Sequence, residues 1–313
     1  MELAKARYSA PEYRRLEGTV IRSQGGHYYV QTGCGPAVDC ALRGRLKKVR
    51  ARSDLVATGD RVCWRPTQEG YGIIEEVLPR KSALSRASKL RGPREEIIVA
   101  NLDQVVVVFS VCNPPFDPSM LDRYLVACEA ARLHVVIVVN KVDLLCTEDD
   151  REAMELYRRL GYRVLYTSAI TSEGGESLRA ALRGRISALT GPSGAGKSSL
   201  LNALWPGLEL KVGEISEFHN RGKHTTVVAQ LLTPEQGTYV ADTPGLRQFH
   251  LWDVDPEQLE AFFPEMSPYL GQCRFTPCTH RHEPDCAVRQ AVEHGEVAEI
   301  RYASYCRMYD SSL

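Results

Sequence analysis

Asn140-Lys141-Val142-Asp143 comes before Gly191-Pro192-Ser193-Gly194-Ala195-Gly196-Lys197-Ser198, and Asp242-Thr243-Pro244-Gly245 follows both. The middle run has the form GxxxxGK[ST], which curls backbone N–H groups around phosphate oxygens. Nucleotide folds with these motifs ordinarily run phosphate loop, switch, DxxG and finally NKxD. Here the base-reading half leads. The chain is therefore expected to fold as a rearranged α/β domain that ends at its switch machinery. Whatever follows is tied to a segment that moves with nucleotide state.

Each motif residue has a chemical task. Gly191, Gly194 and Gly196 let the backbone turn, with Pro192, Ser193 and Ala195 completing the loop. Lys197 reaches the β- and γ-phosphates as the catalytic cation, and Ser198 ligates magnesium. The Asp143 carboxylate accepts from guanine N1–H and its exocyclic amine; adenine offers no such donor pair and would leave a buried carboxylate unpaired. The Lys141 stem covers the ring and Asn140 braces the loop. Thr167-Ser168-Ala169 presents a backbone N–H to guanine O6. Asp242 falls at the magnesium shell and the Gly245 N–H at the γ-phosphate. Between phosphate loop and DxxG lie Arg221, Lys223, His224, Thr225 and Thr226, where a switch belongs; Thr225 or Thr226 closes on magnesium in the triphosphate state. The residue after Gly245 is Leu246, which cannot hold water as a glutamine does. The water-positioning group must come from His250 or from a partner, which predicts slow intrinsic turnover and strong stimulation.

Charge is balanced overall but not along the chain. Residues 1–100 hold 19 Lys and Arg against 11 Asp and Glu, and the remainder reverses that excess. A basic front segment on a neutral protein points to a polyanionic partner. Its densest run, Arg43, Arg45, Lys47, Lys48, Arg50 and Arg52, is the candidate RNA contact. Around it, short strands over 18–22, 27–31, 37–42, 60–65 and 71–77 suit an all-β barrel of the OB type, with Tyr28, Tyr29, Trp64 and Tyr71 as available aromatics. No apolar run reaches membrane-spanning length and the first 15 residues carry no apolar signal core, so a cytoplasmic protein without membrane attachment is expected.

Near-continuous apolar strands at 104–111 and 134–139 alternate with helical patterns at 119–132, 148–160 and 176–182, which marks a parallel sheet covered on both faces. Three of the ten cysteines cluster as Cys273-x4-Cys278-x-His280-x5-Cys286. Three thiolates and an imidazole match a closed tetrahedral structural zinc site, with His282 an alternative to His280. The expected organisation is a barrel over 1–85 with a 1–15 tail, a nucleotide domain over 86–250 and a mainly helical zinc-binding domain over 251–313. A tail that folds as its own module is expected to be separable from guanine binding.

NKVD, TSA, GPSGAGKSS, the His-Thr-Thr switch and DTPG, in that order between a barrel and a Cys/His tail, resemble the ribosome small subunit-dependent GTPase A family (RsgA, also YjeQ or EngC). The resemblance implies a circularly permuted P-loop GTPase that binds the small ribosomal subunit late in assembly, contacts its rRNA through barrel and zinc domain, and is stimulated by it. It places nucleotide contacts on Asn140, Lys141, Asp143, Ser168, Ala169, Gly194 to Ser199, Thr226 and Asp242, with GTP or GDP held alongside magnesium on Ser198 and Thr226. It places zinc on Cys273, Cys278, His280 and Cys286. Some members carry a histidine after the switch-segment tryptophan; here Asp253 follows Trp252, and the histidine lies earlier, at His250. A monomer is expected. Two other readings stay open on the residues alone: a signalling GTPase regulated by a protein partner, and an RNA-binding module that uses GTP only as a switch ligand.

Overall fold

The computed structural model describes residues 15–33, 35–44, 55–67, 70–87, 95–144, 148–210, 229–242 and 254–311. The chain divides into two compact units, Met1–Asn101 and Leu102–Leu313.

In the first unit five strands close on themselves: β1 (Leu16–Gln24), β2 (His27–Gln31), β3 (Val38–Leu42), β4 (Arg61–Pro66) and β5 (Gly72–Val77). β1 pairs antiparallel with β2 and β4, β2 with β3 and β4 with β5, while β3 and β5 run parallel. The result is the expected OB-type barrel. Its interior is Val20, Val30, Cys40, Leu42, Val62, Trp64 and Ile74, pointing inward from the strands, with Val56 added from the segment before β4. Trp64 is only 4 % exposed and belongs to that interior, whereas Tyr71 is 55 % exposed. Gly72 is required where β5 crosses Trp64, because an added Cβ would meet the Cys40 sulfur at 2.3 Å. A further antiparallel hairpin, β6 (Ala83–Ala87) with β7 (Glu95–Ala100), spans the expected boundary near residue 85 and lies within this unit.

The second unit is built on a six-stranded sheet. β8 (Gln104–Ser110), β9 (His134–Asn140), β10 (Arg163–Thr167), β11 (Ile186–Thr190) and β13 (Thr238–Asp242) are parallel, in the order β10-β9-β8-β11-β13. β12 (Gln230–Glu235) pairs antiparallel with β13. β8 is buried along its whole length, as its unbroken apolar run requires of a strand covered on both faces. One face packs on α3 (Gly175–Leu182) and α4 (Lys197–Leu204) through Val106, Val138, Leu178, Leu189 and Leu201. Phe109 points to the other face, edge-to-face with Phe116 and Tyr124.

Helix α1 (Pro118–Ala130) starts where Asp117 accepts from the Ser119 and Met120 N–H groups and Pro118 takes the first position. α2 (Glu148–Arg159) follows. The tail forms two 3₁₀ segments, Pro256–Phe262 and Pro264–Tyr269, then α5 (Ala287–Glu293) and α6 (Glu299–Ser311). Its apolar cluster of Leu259, Phe263, Met266, Val288, Val297, Tyr305 and Met308 includes Val126 of α1. The tail therefore shares a core with the half of this unit built on the parallel sheet. Among the described residues no helix is long and apolar enough to cross a membrane.

Phe109→Ala removes a fully buried ring with two aromatic partners. Urea titration is expected to show a loss of about 3–5 kcal/mol; a loss below about 1 kcal/mol would contradict the packing described.

Candidate functional site

At the C-terminal ends of the parallel strands the motif residues converge. β11 delivers the phosphate loop, in which Gly191, Gly194 and Gly196 have φ of +127°, +79° and +92°. A Cβ on Gly191 would lie 2.0 Å from the Val108 carbonyl oxygen, and one on Gly196 would lie 2.3 Å from the Asn140 amide nitrogen. Only glycine fits either place. The loop ends in the N-terminus of α4, whose free N–H groups and dipole favour an anion. Lys197 Nζ donates to the carbonyls of Gly191 (2.9 Å) and Pro192 (2.8 Å), so the ammonium spans the mouth of the loop. Ser198, in the first turn of α4, is buried.

β9 delivers Asn140 to the same place. Its Nδ2 donates to the Ala195 carbonyl at 2.8 Å across a chain separation of 55 residues, and its Oδ1 accepts from Thr167 Oγ1 at 3.3 Å. One buried amide thus joins the ends of three strands. Lys141 takes a left-handed conformation (φ 63°) and its Nζ donates to the Asn113 carbonyl. Asp143 follows in a 3₁₀ turn, exposed at the rim. Ser168 Oγ accepts from the N–H groups of Ile170 (3.2 Å) and Thr171 (3.1 Å), which fixes the loop carrying Ala169. β13 ends at Asp242 beside β11. Thr225, Thr226, Gly245, Leu246 and His250 lie outside the described residues, as does the Asp242 side chain.

The turn at Asn113-Pro114 carries no motif signature, yet it touches both halves of the site. Ser110 Oγ donates to the Pro114 carbonyl at 2.8 Å, and the Pro114 ring would lie 3.4 Å from a Cβ on Gly194. Its sequence signal is the Pro114-Pro115 pair, which begins four residues beyond the end of the apolar strand β8.

A second site forms in the tail. One ligand atom each from Cys273, Cys278, His280 and Cys286 lies within 4.8 Å of the others. His280 Nδ1 is 3.4 Å from the Cys273 sulfur and 3.3 Å from that of Cys286, and the two sulfurs are 3.8 Å apart. Tetrahedral coordination at metal–ligand distances of about 2.0–2.3 Å needs spacings of this size. His280 is buried while His282 is exposed and outside the cluster, so the histidine of the set is His280. Burial pushes the Cys278 thiol up to about 12 and raises Cys286 as well. Ionised thiolates there call for a cation, and the donor set fits a metal ion.

Glu260, which no motif announced, accepts from His280 Nε2 at 2.7 Å and thereby turns Nδ1 toward the sulfurs. Tyr302 and Tyr305 of α6 donate to the carbonyls of His280 (2.7 Å) and Thr279 (3.0 Å). In the first unit, Arg43 is exposed and paired with Glu75 at 3.3 Å. Arg45, Lys47, Lys48, Arg50 and Arg52 lie outside the described residues.

Strand order and motif placement together define a circularly permuted P-loop GTPase domain carrying a barrel and a Cys/His tail. The family model for the RsgA GTPase matches residues 77–252 and that for the RsgA N-terminal domain matches 17–74. The chain is 44 % identical over 290 residues to the small ribosomal subunit biogenesis GTPase RsgA of Moorella thermoacetica, covering 93 % of this chain and 95 % of that one. It is 45 % identical over 300 residues to the Gemmatimonas aurantiaca protein of the same name, covering 95 % and 97 %. Among solved structures it is similar to YjeQ from Thermotoga maritima, with TM-score 0.76, 38 % identity and coverage of 96 % and 99 %. It also matches YloQ, a circularly permuted GTPase, with TM-score 0.71, 30 % identity and 98 % of each chain covered. The chain belongs to the RsgA GTPase family.

Glu260→Gln keeps the shape of the side chain but weakens its hold on the His280 ring. Metal affinity, measured by competition with a chromophoric chelator, is expected to fall about 10–100-fold; unchanged affinity would remove Glu260 from the site.

Proposed function

We propose that this chain hydrolyses GTP during late maturation of the small ribosomal subunit, binding the subunit's rRNA and turning over quickly only when docked on it. The Asn140 to Ala195 hydrogen bond carries the nucleotide half of this reading, because it holds a base-reading loop and a phosphate loop together in permuted order. The relatives named for small-subunit biogenesis match almost end to end, which supports the ribosomal half.

In this reading Asp143 pairs with guanine N1–H and the exocyclic amine from its exposed rim position, and the Lys141 stem covers the ring. Ser168 and Ala169 place a backbone N–H near O6. The phosphates lie along the residues from Gly191 to Ser199. Lys197 exchanges its two loop carbonyls for phosphate oxygens, an exchange of partners that keeps the ammonium hydrogen-bonded throughout. Magnesium bound with GTP would be held by Ser198 and Thr226, with Asp242 in its outer shell and the Gly245 N–H toward the γ-phosphate, and would neutralise developing charge. Leu246 leaves the attacking water unsupported, so positioning falls to His250 or to the subunit.

The tail cluster takes one zinc ion in a closed structural site, since all four positions are protein ligands. RNA contact is assigned to Arg43, Arg45, Lys47, Lys48, Arg50 and Arg52 of the barrel segment. We place the protein in the cytoplasm, where small subunits are assembled, acting as a monomer.

GTP turnover is expected to rise at least about tenfold when purified small subunits are added, and binding to weaken steeply with salt as phosphate contacts require. Absence of stimulation, with salt-insensitive binding, would favour a protein-regulated GTPase instead. Bound GTP without any turnover would leave a switch ligand. Asp143→Asn replaces an acceptor by a donor on one side of the base. GTP affinity is expected to fall about 100-fold or more, with xanthosine triphosphate, whose C2 carbonyl accepts, now preferred. Equilibrium titration of both nucleotides checks this.

A further inference from the structure

Arg301 ties the metal-binding tail to the helix that frames the nucleotide loops. We propose that it is a positioning residue for guanine-nucleotide binding, through which metal loading of the Cys–His cluster tightens the nucleotide site. The proposal rests on the nucleotide and metal assignments made above.

The junction is built around one fully buried guanidinium. Arg301 Nη1 donates to Asp122 Oδ1 of α1 at 2.6 Å, while Nε and Nη2 fork onto Glu265 at 2.6 and 3.2 Å. Its charge lies 4.7 Å from the Phe263 ring centre. The side chains of Arg301 and Asp122 are both 0 % exposed. Apolar residues of similar size would hold two elements together at least as well as a buried ion triad. What a planar, forked cation adds is a fixed relative placement of its partners.

On the tail side, Arg301 sits next to Tyr302, whose hydroxyl donates to the carbonyl of the ligand His280. One turn of α6 therefore holds both the metal loop and the salt link. On the nucleotide side, Asp122 Oδ1 also accepts from the Tyr157 hydroxyl at 2.8 Å, and Tyr157 meets Phe116 edge-to-face with ring centres 6.2 Å apart. Phe116 closes the turn that begins at Asn113-Pro114. That turn supplies the acceptor for Lys141 and the proline against Gly194. Metal ligand, α6, α1, turn and nucleotide loops thus form one run of direct contacts. A loaded cluster anchors α6; α6 seats Arg301 on Asp122; α1 then holds the turn that places Lys141 and the phosphate loop. The independence expected of a separate tail module gives way to graded coupling.

The test uses the full chain and a fluorescent GDP analogue, with Kd measured on metal-loaded protein and again after chelation. In the wild type, metal removal is expected to weaken GDP binding about 5–50-fold, and saturating GDP to raise metal affinity by the same factor, as linkage demands. Arg301→Lys keeps the charge but cannot fork across two carboxylates. It is expected to retain metal, bind GDP several-fold more weakly when loaded, and show a loaded-to-stripped ratio approaching one. Asp122→Asn, which preserves shape at the same joint, is a second variant expected to move the ratio toward one as well. A purely structural role would lower the melting temperature and leave the ratio untouched, which would overturn the proposal. A wild-type ratio of one would overturn it as well. Loaded wild type that binds no GDP at all would overturn the nucleotide assignment and this inference with it.

Discussion

Three strand ends meet at the Asn140 side chain, and the proposed nucleotide site takes its shape from that meeting. The amide donates to Ala195 on the phosphate loop and accepts from Thr167 on the neighbouring strand, so β9, β10 and β11 are fastened at one buried point. An amide can do this because it carries a donor and an acceptor on one rigid group. Leaving either unpaired in a buried position costs about 1–3 kcal/mol. Packing leaves no alternative nearby, since a Cβ on Gly196 would occupy the space of that same amide nitrogen. The chemistry needs adjacent strand ends, and the β9-β8-β11 pairings supply them. It is indifferent to the order in which the chain visits them, which is why a permuted sequence can build the same pocket.

Local patterns were readable and long-range partnerships were not. The unbroken run of β8, the helical pattern at 119–132 and the glycine spacing of the phosphate loop each encode a structure within a few residues, and each appears within two residues of where the pattern puts it. The metal set was legible for the same reason, because its four residues lie within one short segment; the choice between His280 and His282 was not, since it turns on which ring is buried. Trp64 illustrates the converse limit. On a five-strand barrel an aromatic can face in or out, and only closure of β1 on β4 puts it inside. Glu260, Asp122 and Arg301 carry no periodicity at all. An ion pair spanning 179 positions leaves no mark on its neighbours in the chain.

The tail shows how a small, polar segment acquires a core. Its own apolar residues are few, and the cluster they form is completed by Val126 from α1 and by tyrosines whose hydroxyls turn back to carbonyls of the metal loop. Tyrosine suits this place because its ring fills volume while its hydroxyl satisfies a backbone acceptor. The segment is held by α6 and α1 through that shared cluster, and its four Cys and His donor atoms gather within it.

The distance along the chain between Asp122 and Arg301 bears on how the protein is made. Emerging from its own synthesis, the growing polypeptide exposes the α1 carboxylate long before its counter-ion has been translated. Until the codon for Arg301 has been read, that face of α1 stays wet and its apolar neighbours uncovered. A premature stop at or before position 301 would therefore strand a buried-type carboxylate without its cation, far upstream of the lesion, and proteolytic quality control would find its target there.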